Sequence, residues 1–164
     1  MSRFVRCPAG SEHWGPAGAA GLALWSHWGH GAMLLQKRSV HSHQGGTWSV
    51  LGGALEPGED PVAAALRETA EEAVVDLTGL MVHGLVPGPC PADHCGWTYT
   101  TVVASVSGEP AVSPHSWESE SLQWTPRGEL EAANAGSGGP ELHAGLRRVL
   151  PAILAVVDGL QAQR

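Results

Sequence analysis

Three glutamates, Glu68, Glu71 and Glu72, stand at positions i, i+3 and i+4 of a segment with helical character. At about 100° per residue, this spacing places all three carboxylates on one helical face. Like charges at such positions repel each other, and acids near a helix C-terminus oppose the macrodipole. Carboxylate oxygens are the ligands that magnesium and manganese prefer. The cluster therefore indicates a bound divalent cation, Mg²⁺ with Mn²⁺ as a substitute.

The acidic helix belongs to a longer pattern that begins at Gly53. Five residues separate Gly53 from Glu59, and seven more precede the Arg-Glu pair that opens the acidic run. The pattern resembles the signature of the Nudix hydrolases, G-x5-E-x7-R-E-U-x-E-E-x-G-U, in which U is a bulky apolar residue. All the charged positions match. Two positions depart from the signature, because Thr69 stands where an apolar residue is expected and Val74 replaces the last glycine.

The resemblance implies a role for each residue of this segment. Glu59 and Arg67 would form an ion pair that steadies the loop against the helix. A backbone carbonyl of the Gly52-Gly53 turn would join the metal ligands, and the two glycines permit positive φ and close backbone approach. By resemblance, the metal ligands are Glu68, Glu71 and Glu72, the cofactor-binding loop contributes Gly52, Gly53 and Glu59, and the catalytic group comprises Glu71, Glu72, Glu118 and Arg67.

A later acid is a candidate for accepting the proton of the attacking water. Members of the MutT branch have an acid six residues before a tryptophan, and Glu118 occupies that place relative to Trp124. Glu120 is an alternative, and the alternation of a strand would put both carboxylates on one face. Glu71 and Glu72 are further alternatives for the same role.

Hydrophobic patterns predict the elements that position these groups. Asp60 is a good N-cap and Pro61 suits the first helical position, so a helix is expected from Pro61 to about Ala73. Strands are expected at 17–25, 32–37, 47–50, 80–86, 97–106 and 121–124, a short helix or turn at 126–133, and a C-terminal helix at 141–160 that is interrupted or kinked near Pro151.

This order of elements fits an α/β (α+β) fold, and the first two strands are expected to pair antiparallel. It is compatible with the Nudix-type α/β/α sandwich that the resemblance implies, with a central mixed sheet, a catalytic helix and a C-terminal helix. The length of 164 residues suits a single domain over 1–164.

Composition limits the classes of partner. The chain is 43% hydrophobic and 15% charged, which is typical of a globular protein. A net charge of −7 argues against a nucleic-acid polymer as the main ligand. A small phosphorylated ligand bridged by a metal is compatible with that charge. The absence of a long apolar run or a signal core predicts a cytoplasmic location without a membrane. The seven tryptophans leave a homodimer open.

Cysteines and histidines give weaker indications. Three cysteines are too few for a disulfide framework. Cys90, His94 and Cys95 lack the spacing of a common zinc knuckle, so a zinc site there is not favoured. Most of the histidines near the two predicted loops are expected to be surface residues. A residue that precedes the signature could instead contact the base or sugar of a nucleotide. The surface histidines are His27, His30, His41 and His43, the contact candidates are His41, His43 and Trp48, and Trp97 and Tyr99 are expected to pack on the sheet.

The resemblance implies a magnesium-dependent pyrophosphohydrolase acting on a nucleoside diphosphate linked to a further group. We favour a nucleoside triphosphate, including an oxidised purine deoxynucleotide, cleaved to monophosphate and pyrophosphate. ADP-ribose, a nucleotide sugar and a dinucleoside polyphosphate are alternative substrates. An alternative from another class is a Nudix-fold module that senses a nucleotide without cleaving it, and Thr69 and Val74 are its support.

Overall fold

A mixed sheet forms the centre of the fold in the computed structural model, which describes residues 4–8, 10–26, 31–90 and 96–161. Its strand order is β11-β4-β3-β9-β8, with β5 paired to β4 and β6 paired to β3. The strands are β1 (Phe4–Arg6), β2 (Glu12–Trp14), β3 (Ala19–Ser26), β4 (Ala32–Arg38), β5 (Trp48–Ser49), β6 (Leu51–Ala54), β7 (Ala73–Val75), β8 (Met81–Pro89), β9 (Thr98–Val106), β10 (Val112–Pro114) and β11 (Ser119–Pro126), and the helices are α1 (Pro61–Glu72), α2 (Arg127–Ala135) and α3 (Ala144–Gln161).

Strand β3 lies at the centre of this sheet and is buried along its whole length. It pairs parallel with β9 and antiparallel with β4 and β6. The predicted mixed sheet and the predicted antiparallel pairing of the first two strands are therefore confirmed. Residues 27–30, which contain the predicted turn with His27 and His30, lie outside the described residues.

Side chains of β3 alternate between two hydrophobic cores. Ala23 and Trp25 point to the core that α2 and α3 cover, whereas Leu22 and Leu24 point to the core under α1. Burial on both faces explains why the strand reads as a continuous apolar run. The result is the predicted α/β/α sandwich.

Helix α1 begins as its cap predicts. Asp60 Oδ1 accepts hydrogen bonds from the backbone N–H groups of Val62 (2.9 Å) and Ala63 (3.1 Å). Ala64 and Ala65 are fully buried against the sheet, where small side chains allow the helix to approach β3 and β6 closely. This close packing fixes the position of the acidic face relative to β6.

The helix end explains both departures from the signature. Thr69 is fully buried, and its hydroxyl donates to the carbonyl of Ala65 at 2.7 Å, so a polar residue fits an apolar position. The chain turns directly from α1 into β7, with Ala73 in an extended conformation at φ −140°. Val74 lies in β7, paired with Ser113, and 55% exposed. A β-branched residue suits this strand, so the left-handed conformation that penalises valine does not arise.

Other elements differ from the sequence-based expectations. Helix α3 runs unbroken through Pro151, which is exposed, while Leu150 and Ile153 are fully buried. The expected interruption is therefore wrong, because burial on the apolar side of α3 stabilises the helix. The β1–β2 hairpin and the β7–β10 pair were not predicted, since strands of three residues carry too little pattern. Strand β8 continues into the predicted proline-rich loop, which an edge strand permits.

In the part of the chain that the structure describes, every helix is too short or too polar to cross a bilayer.

The chain after α2 returns to the sheet at His143. Its backbone N–H donates to the carbonyl of Trp48 at 2.8 Å. Its Nδ1 accepts from the N–H of Gly145 at 3.0 Å. Burial lowers the pKa of His143 from 6.5 to about 4, and the positive charges of Arg38, His43 and Arg148 act in the same direction. The folded protein therefore holds this imidazole neutral.

The lowered pKa of His143 predicts that the free energy of unfolding decreases in acid. Because the pKa of His143 is lower in the folded state, the unfolded chain binds its proton first as the pH falls below 6.5, and stability is lost progressively toward pH 4. We expect His143→Gln to reduce the slope of unfolding free energy against pH in that window, measured by urea denaturation. The exposed His115→Gln variant is the control. Equal slopes in the wild type and His143→Gln would contradict the assignment.

Candidate metal and active site

The buried carboxylate of Glu72 lies at the centre of the candidate site. Glu72 is the last residue of α1 and is 5% exposed. Glu72 Oε2 accepts from the backbone N–H of Gly52 at 3.2 Å and from Gln36 Nε2 at 3.4 Å. Burial raises the pKa of Glu72 to about 8, against the lowering effect of the Gly52 hydrogen bond, and the negative charges of Glu118 and Glu68 raise it further. A carboxylate is thus held where its charge is poorly compensated.

Arg67 connects the loop before α1 to the acidic face. Its Nε and one Nη donate to the two oxygens of Glu59 at 2.9 Å each, in a bidentate pair. The same guanidinium donates to the carbonyl of Ala54 at 2.9 Å, and its other Nη donates to Glu68 Oε1 at 2.8 Å. The hydrogen bond from Arg67 lowers the pKa of Glu59 to about 2. The geometry is that of the supporting ion pair that the resemblance implies.

Glu68 and Glu71 are neighbours on the same helical face. Burial raises the pKa of Glu68, the Arg67 interactions oppose this, and the charges of Glu71 and Glu118 add to it. Glu71 is more open, with a side chain that is 58% exposed and a 3.4 Å contact from its Oε1 to Arg67 Nη1. Together with Glu72, these residues present a graded set of carboxylates, from buried to exposed.

The structure corrects the expected role of the two glycines. Gly52 and Gly53 lie within β6, paired with Gly21 and Ala20 of β3, and neither has a positive φ. The expected turn is therefore wrong, while the expected close approach is present. A Cβ placed on Gly53 would lie 2.5 Å from the carboxyl carbon of Glu68. Glycine is needed here because strand β6 runs directly beneath the acidic face.

The later acids separate in space. The charge of Glu118, an exposed residue just before β11, adds to the raised pKa of both Glu68 and Glu72. Glu120 instead pairs with Lys37 at 3.3 Å. The expected sharing of one face fails because the strand register shifts between Ser119 and Ser121. Glu118 is therefore the later acid whose charge acts on Glu68 and Glu72.

Three polar residues around Glu72 were not predicted. Gln36 bonds to Glu72, to the carbonyl of Val50 at 3.0 Å, and through its Oε1 to the hydroxyl of Ser119. Arg38 lies near enough for its charge to lower the pKa of Glu72. Gln36 is buried and directly follows the four buried apolar residues that begin β4. A glutamine inside an apolar strand is the one sequence signal that could have indicated it.

The donor set fits a hard divalent cation. Carboxylates of graded burial lie along the C-terminal half of α1, and the neighbouring positive groups, Arg67 and Arg38, leave the pKa of Glu68 and Glu72 raised. A divalent ion would supply the missing positive charge and stabilise the ionised forms. Oxygen ligands of this kind favour Mg²⁺ or Mn²⁺ over softer metals.

The aromatic residues take different places. Trp48 and Tyr99 pack against the core under α2 and α3, as expected for Tyr99. Trp97 precedes β9 and stacks on His13, with ring centroids 4.3 Å apart, so it does not pack on the sheet as expected. Near these rings lies a cleft of about 220 Å³, whose lining includes Val5, Leu55 and Trp97 but none of the site carboxylates.

Comparison with known proteins places this geometry in context. Residues 16–146 match the model of the NUDIX domain. A protein of Mycobacterium tuberculosis named putative 8-oxo-dGTP diphosphatase 3 is 42% identical over 131 residues, which cover 77% of this chain and 60% of the relative. An 8-oxo-dGTP diphosphatase of Proteus vulgaris is 37% identical over 65 residues, covering 40% of this chain and 58% of that protein. The chain thus spans about 60% of the length of these relatives.

Solved structures agree over a larger share of the chain. The Nudix hydrolase RenU of M. smegmatis is 32% identical, with a TM-score of 0.79 over 96% of this chain and 97% of its own. A C. elegans Ap4A hydrolase in a binary complex is 26% identical, with a TM-score of 0.65 over 86% of this chain and 98% of that one. The similarity to RenU therefore extends over almost the whole of both chains.

The close approach at Gly53 predicts a selective defect. In Gly53→Ala the new methyl group would displace the mobile end of Glu68 rather than the backbone, so the folded state should lose little stability. We expect Mn²⁺ binding by calorimetry to weaken about tenfold or more, since displaced ligands coordinate poorly. Gly128→Ala, where a Cβ meets nothing within 4 Å, is the matched control. Unchanged Mn²⁺ affinity in Gly53→Ala would contradict the placement of Glu68 in the metal site.

Proposed function

This chain belongs to the Nudix hydrolase family, and on that premise we propose that it is a magnesium-dependent pyrophosphohydrolase of nucleoside diphosphate derivatives. The family acts on small-molecule nucleotide substrates. We further propose that residues 1–164 act as one domain and that the substrate is a nucleoside triphosphate, which includes oxidised purine deoxynucleotides. The products would be a nucleoside monophosphate and pyrophosphate.

The observation that carries this proposal is the burial of Glu72 among other acids. Burial raises the pKa of the Glu72 carboxyl group to about 8, so its ionised form is disfavoured unless a cation lies nearby. Glu68 and Glu118 are close enough to raise that pKa further. Carboxyl groups with strongly raised pKa values are concentrated at functional sites, which supports a bound cation here.

The residues that would hold the cation are Glu68, Glu71 and Glu72, with a backbone carbonyl of the Gly52–Gly53 strand. Nudix hydrolases generally use divalent metal ions. When bound, Mg²⁺ neutralises phosphate oxygens and lowers the pKa of a coordinated water. Arg67 and Glu59 act indirectly, because their bidentate pair fixes the loop on which α1 is mounted.

The proton of the attacking water needs an acceptor that is ionised and accessible. Glu118 is exposed and lies near Glu68 and Glu72. We assign it as the acceptor when water adds to phosphorus and the pyrophosphate group leaves. Glu72 is a weaker candidate, because it is buried and already accepts from Gly52 and Gln36.

The names of proteins with similar sequences support the triphosphate class. Two relatives are named as 8-oxo-dGTP diphosphatases, one of them with the qualifier putative. A structurally similar protein from C. elegans is named an Ap4A hydrolase, which supports a dinucleoside polyphosphate as the second candidate. Both candidates present a chain of phosphates to the same carboxylates, so they differ in the group beyond the scissile bond.

A binding module without catalysis is the alternative from another class. Its support was the pair of departures at Thr69 and Val74. Thr69 is satisfied by its bond to Ala65, and Val74 lies in a strand that suits it. Neither removes a carboxylate from the site, so the observations favour hydrolysis over sensing.

Removal of one carboxylate predicts loss of turnover. We expect the wild type to hydrolyse at least one member of a panel of 8-oxo-dGTP, dGTP and Ap4A in Mg²⁺. Glu68→Gln or Glu71→Gln should lower kcat about 100-fold or more, since a neutral amide neither compensates nor coordinates the cation well. Glu129→Gln, on the exposed surface of α2, is the matched control. Calorimetric nucleotide binding with no hydrolysis by the wild type would favour the sensor and overturn this proposal.

The choice of Glu118 over Glu120 predicts a second contrast. Glu118→Gln should lower kcat about 100-fold and flatten the acid side of the pH–rate profile, because the proton acceptor is lost. Glu120→Gln, two residues away and paired with Lys37, should retain activity within about twofold. A larger loss in Glu120→Gln than in Glu118→Gln would contradict the assignment.

A further inference from the structure

Two sulfurs and an imidazole nitrogen meet far from the signature helix in sequence. Cys7 Sγ lies 3.3 Å from Cys90 Sγ, and His13 Nε2 lies 3.0 Å from Cys90 Sγ. One ligand atom from each of the three residues falls within 4.8 Å of the others. Both cysteines are 2% exposed, while His13 is half-buried. The arrangement is a compact set of metal-binding atoms at the edge of the core.

These residues come from two segments that the fold brings together. Cys7 and His13 flank the turn of the β1–β2 hairpin, and Cys90 follows the last residue of β8. Cys7 and Cys90 are 83 positions apart in sequence. The zinc site weighed from the sequence combined Cys90 with His94 and Cys95. His94 and Cys95 lie outside the described residues. Long-range contact, rather than a short spacing motif, assembles this cluster.

The separations are close to those that zinc requires. With Zn–S near 2.3 Å, Zn–N near 2.0 Å and tetrahedral angles, two sulfurs lie about 3.8 Å apart and a sulfur and a nitrogen about 3.6 Å apart. The Cys7 Sγ–Cys90 Sγ and His13 Nε2–Cys90 Sγ distances are each shorter than these values by about half an ångström. A small outward movement of the side chains would therefore make room for the ion. The sulfur separation of 3.3 Å is also too long for a disulfide, which needs about 2.05 Å.

The imidazole of His13 is held in place by its surroundings. Its ring stacks on Trp97 at an interplanar angle of 11°. The indole Nε1 of Trp97 donates to the carbonyl of Gly15 at 3.0 Å, which fixes the indole against the segment after the hairpin. The stacked ring directs Nε2 toward Cys90 Sγ. A ligand oriented before the metal arrives loses less entropy on binding.

We propose that Cys7, His13 and Cys90 bind a structural zinc ion. The ion ties the β1–β2 hairpin to the end of β8, beside the cleft whose lining includes Val5 and Trp97. Thiolate and imidazole ligands select zinc, whereas the carboxylates of α1 select magnesium or manganese, so the two sites discriminate by donor chemistry. The proposal goes beyond the hydrolytic function and does not depend on it.

Metal content tests the proposal on the full chain purified without a histidine tag, in reducing buffer, after growth with added zinc. Inductively coupled plasma mass spectrometry should find about one zinc per chain. Cys7→Ser, Cys90→Ser and His13→Asn should each lower bound zinc about tenfold or more at limiting zinc. His115→Asn is the matched histidine control. Glu71→Gln should keep its zinc, which separates this site from the carboxylates.

A second measurement covers variants that fail to fold. Cobalt added to the metal-free wild type should give the intense near-ultraviolet absorption of a cobalt–thiolate bond, and zinc should abolish it. Chelation of zinc should lower the midpoint of thermal unfolding, while hydrolysis of nucleotides still depends on added Mg²⁺. A wild type that takes up no zinc and shows no cobalt–thiolate band would overturn the proposal. So would zinc retained in all three ligand variants, or a Cys7–Cys90 disulfide found by mass spectrometry.

Discussion

The candidate site depends on one buried carboxyl group, that of Glu72. Glu72 is the last residue of helix α1, where its carboxylate accepts from the N–H of Gly52 and burial raises its pKa to about 8. For this carboxyl group to be ionised, two things are needed: a strand close enough to donate its backbone N–H, and a cation that stabilises the ionised form. The glycines of β6 and the alanines of α1 meet the first requirement by allowing close approach. The acidic neighbours make the second necessary.

Much of this site can be predicted from sequence because its parts are local. The helical period places the carboxylates on one face, and Asp60 with Pro61 sets where that face begins. The Glu59–Arg67 pair spans eight positions and forms as the resemblance implies. Glu118 could be identified because it precedes Trp124 by six residues in the sequence. Only the register shift in β11 distinguishes its position from that of Glu120.

The remainder depends on contacts between distant segments. Gly52 and Gly53 read as a turn because glycine is usually found in turns, yet here they lie in a strand under Glu68. Gln36 and Arg38 approach Glu72 through the pairing of β4, which no local pattern reports. The Cys7–Cys90 contact is of the same kind, since a hairpin of three-residue strands carries no readable period. The sequence therefore predicts the groups that are close together along the chain, but it does not predict contacts between distant segments.

Anomalous diffraction from crystals soaked in Mn²⁺ tests the central claim most directly. The account predicts anomalous density against the Glu72 carboxylate, within about 2.2 Å of its oxygens and those of Glu68 or Glu71. The backbone of β6 should approach the same ion. Anomalous density confined to other surfaces, with Glu72 still bonded to Gly52 in saturating Mn²⁺, would contradict it.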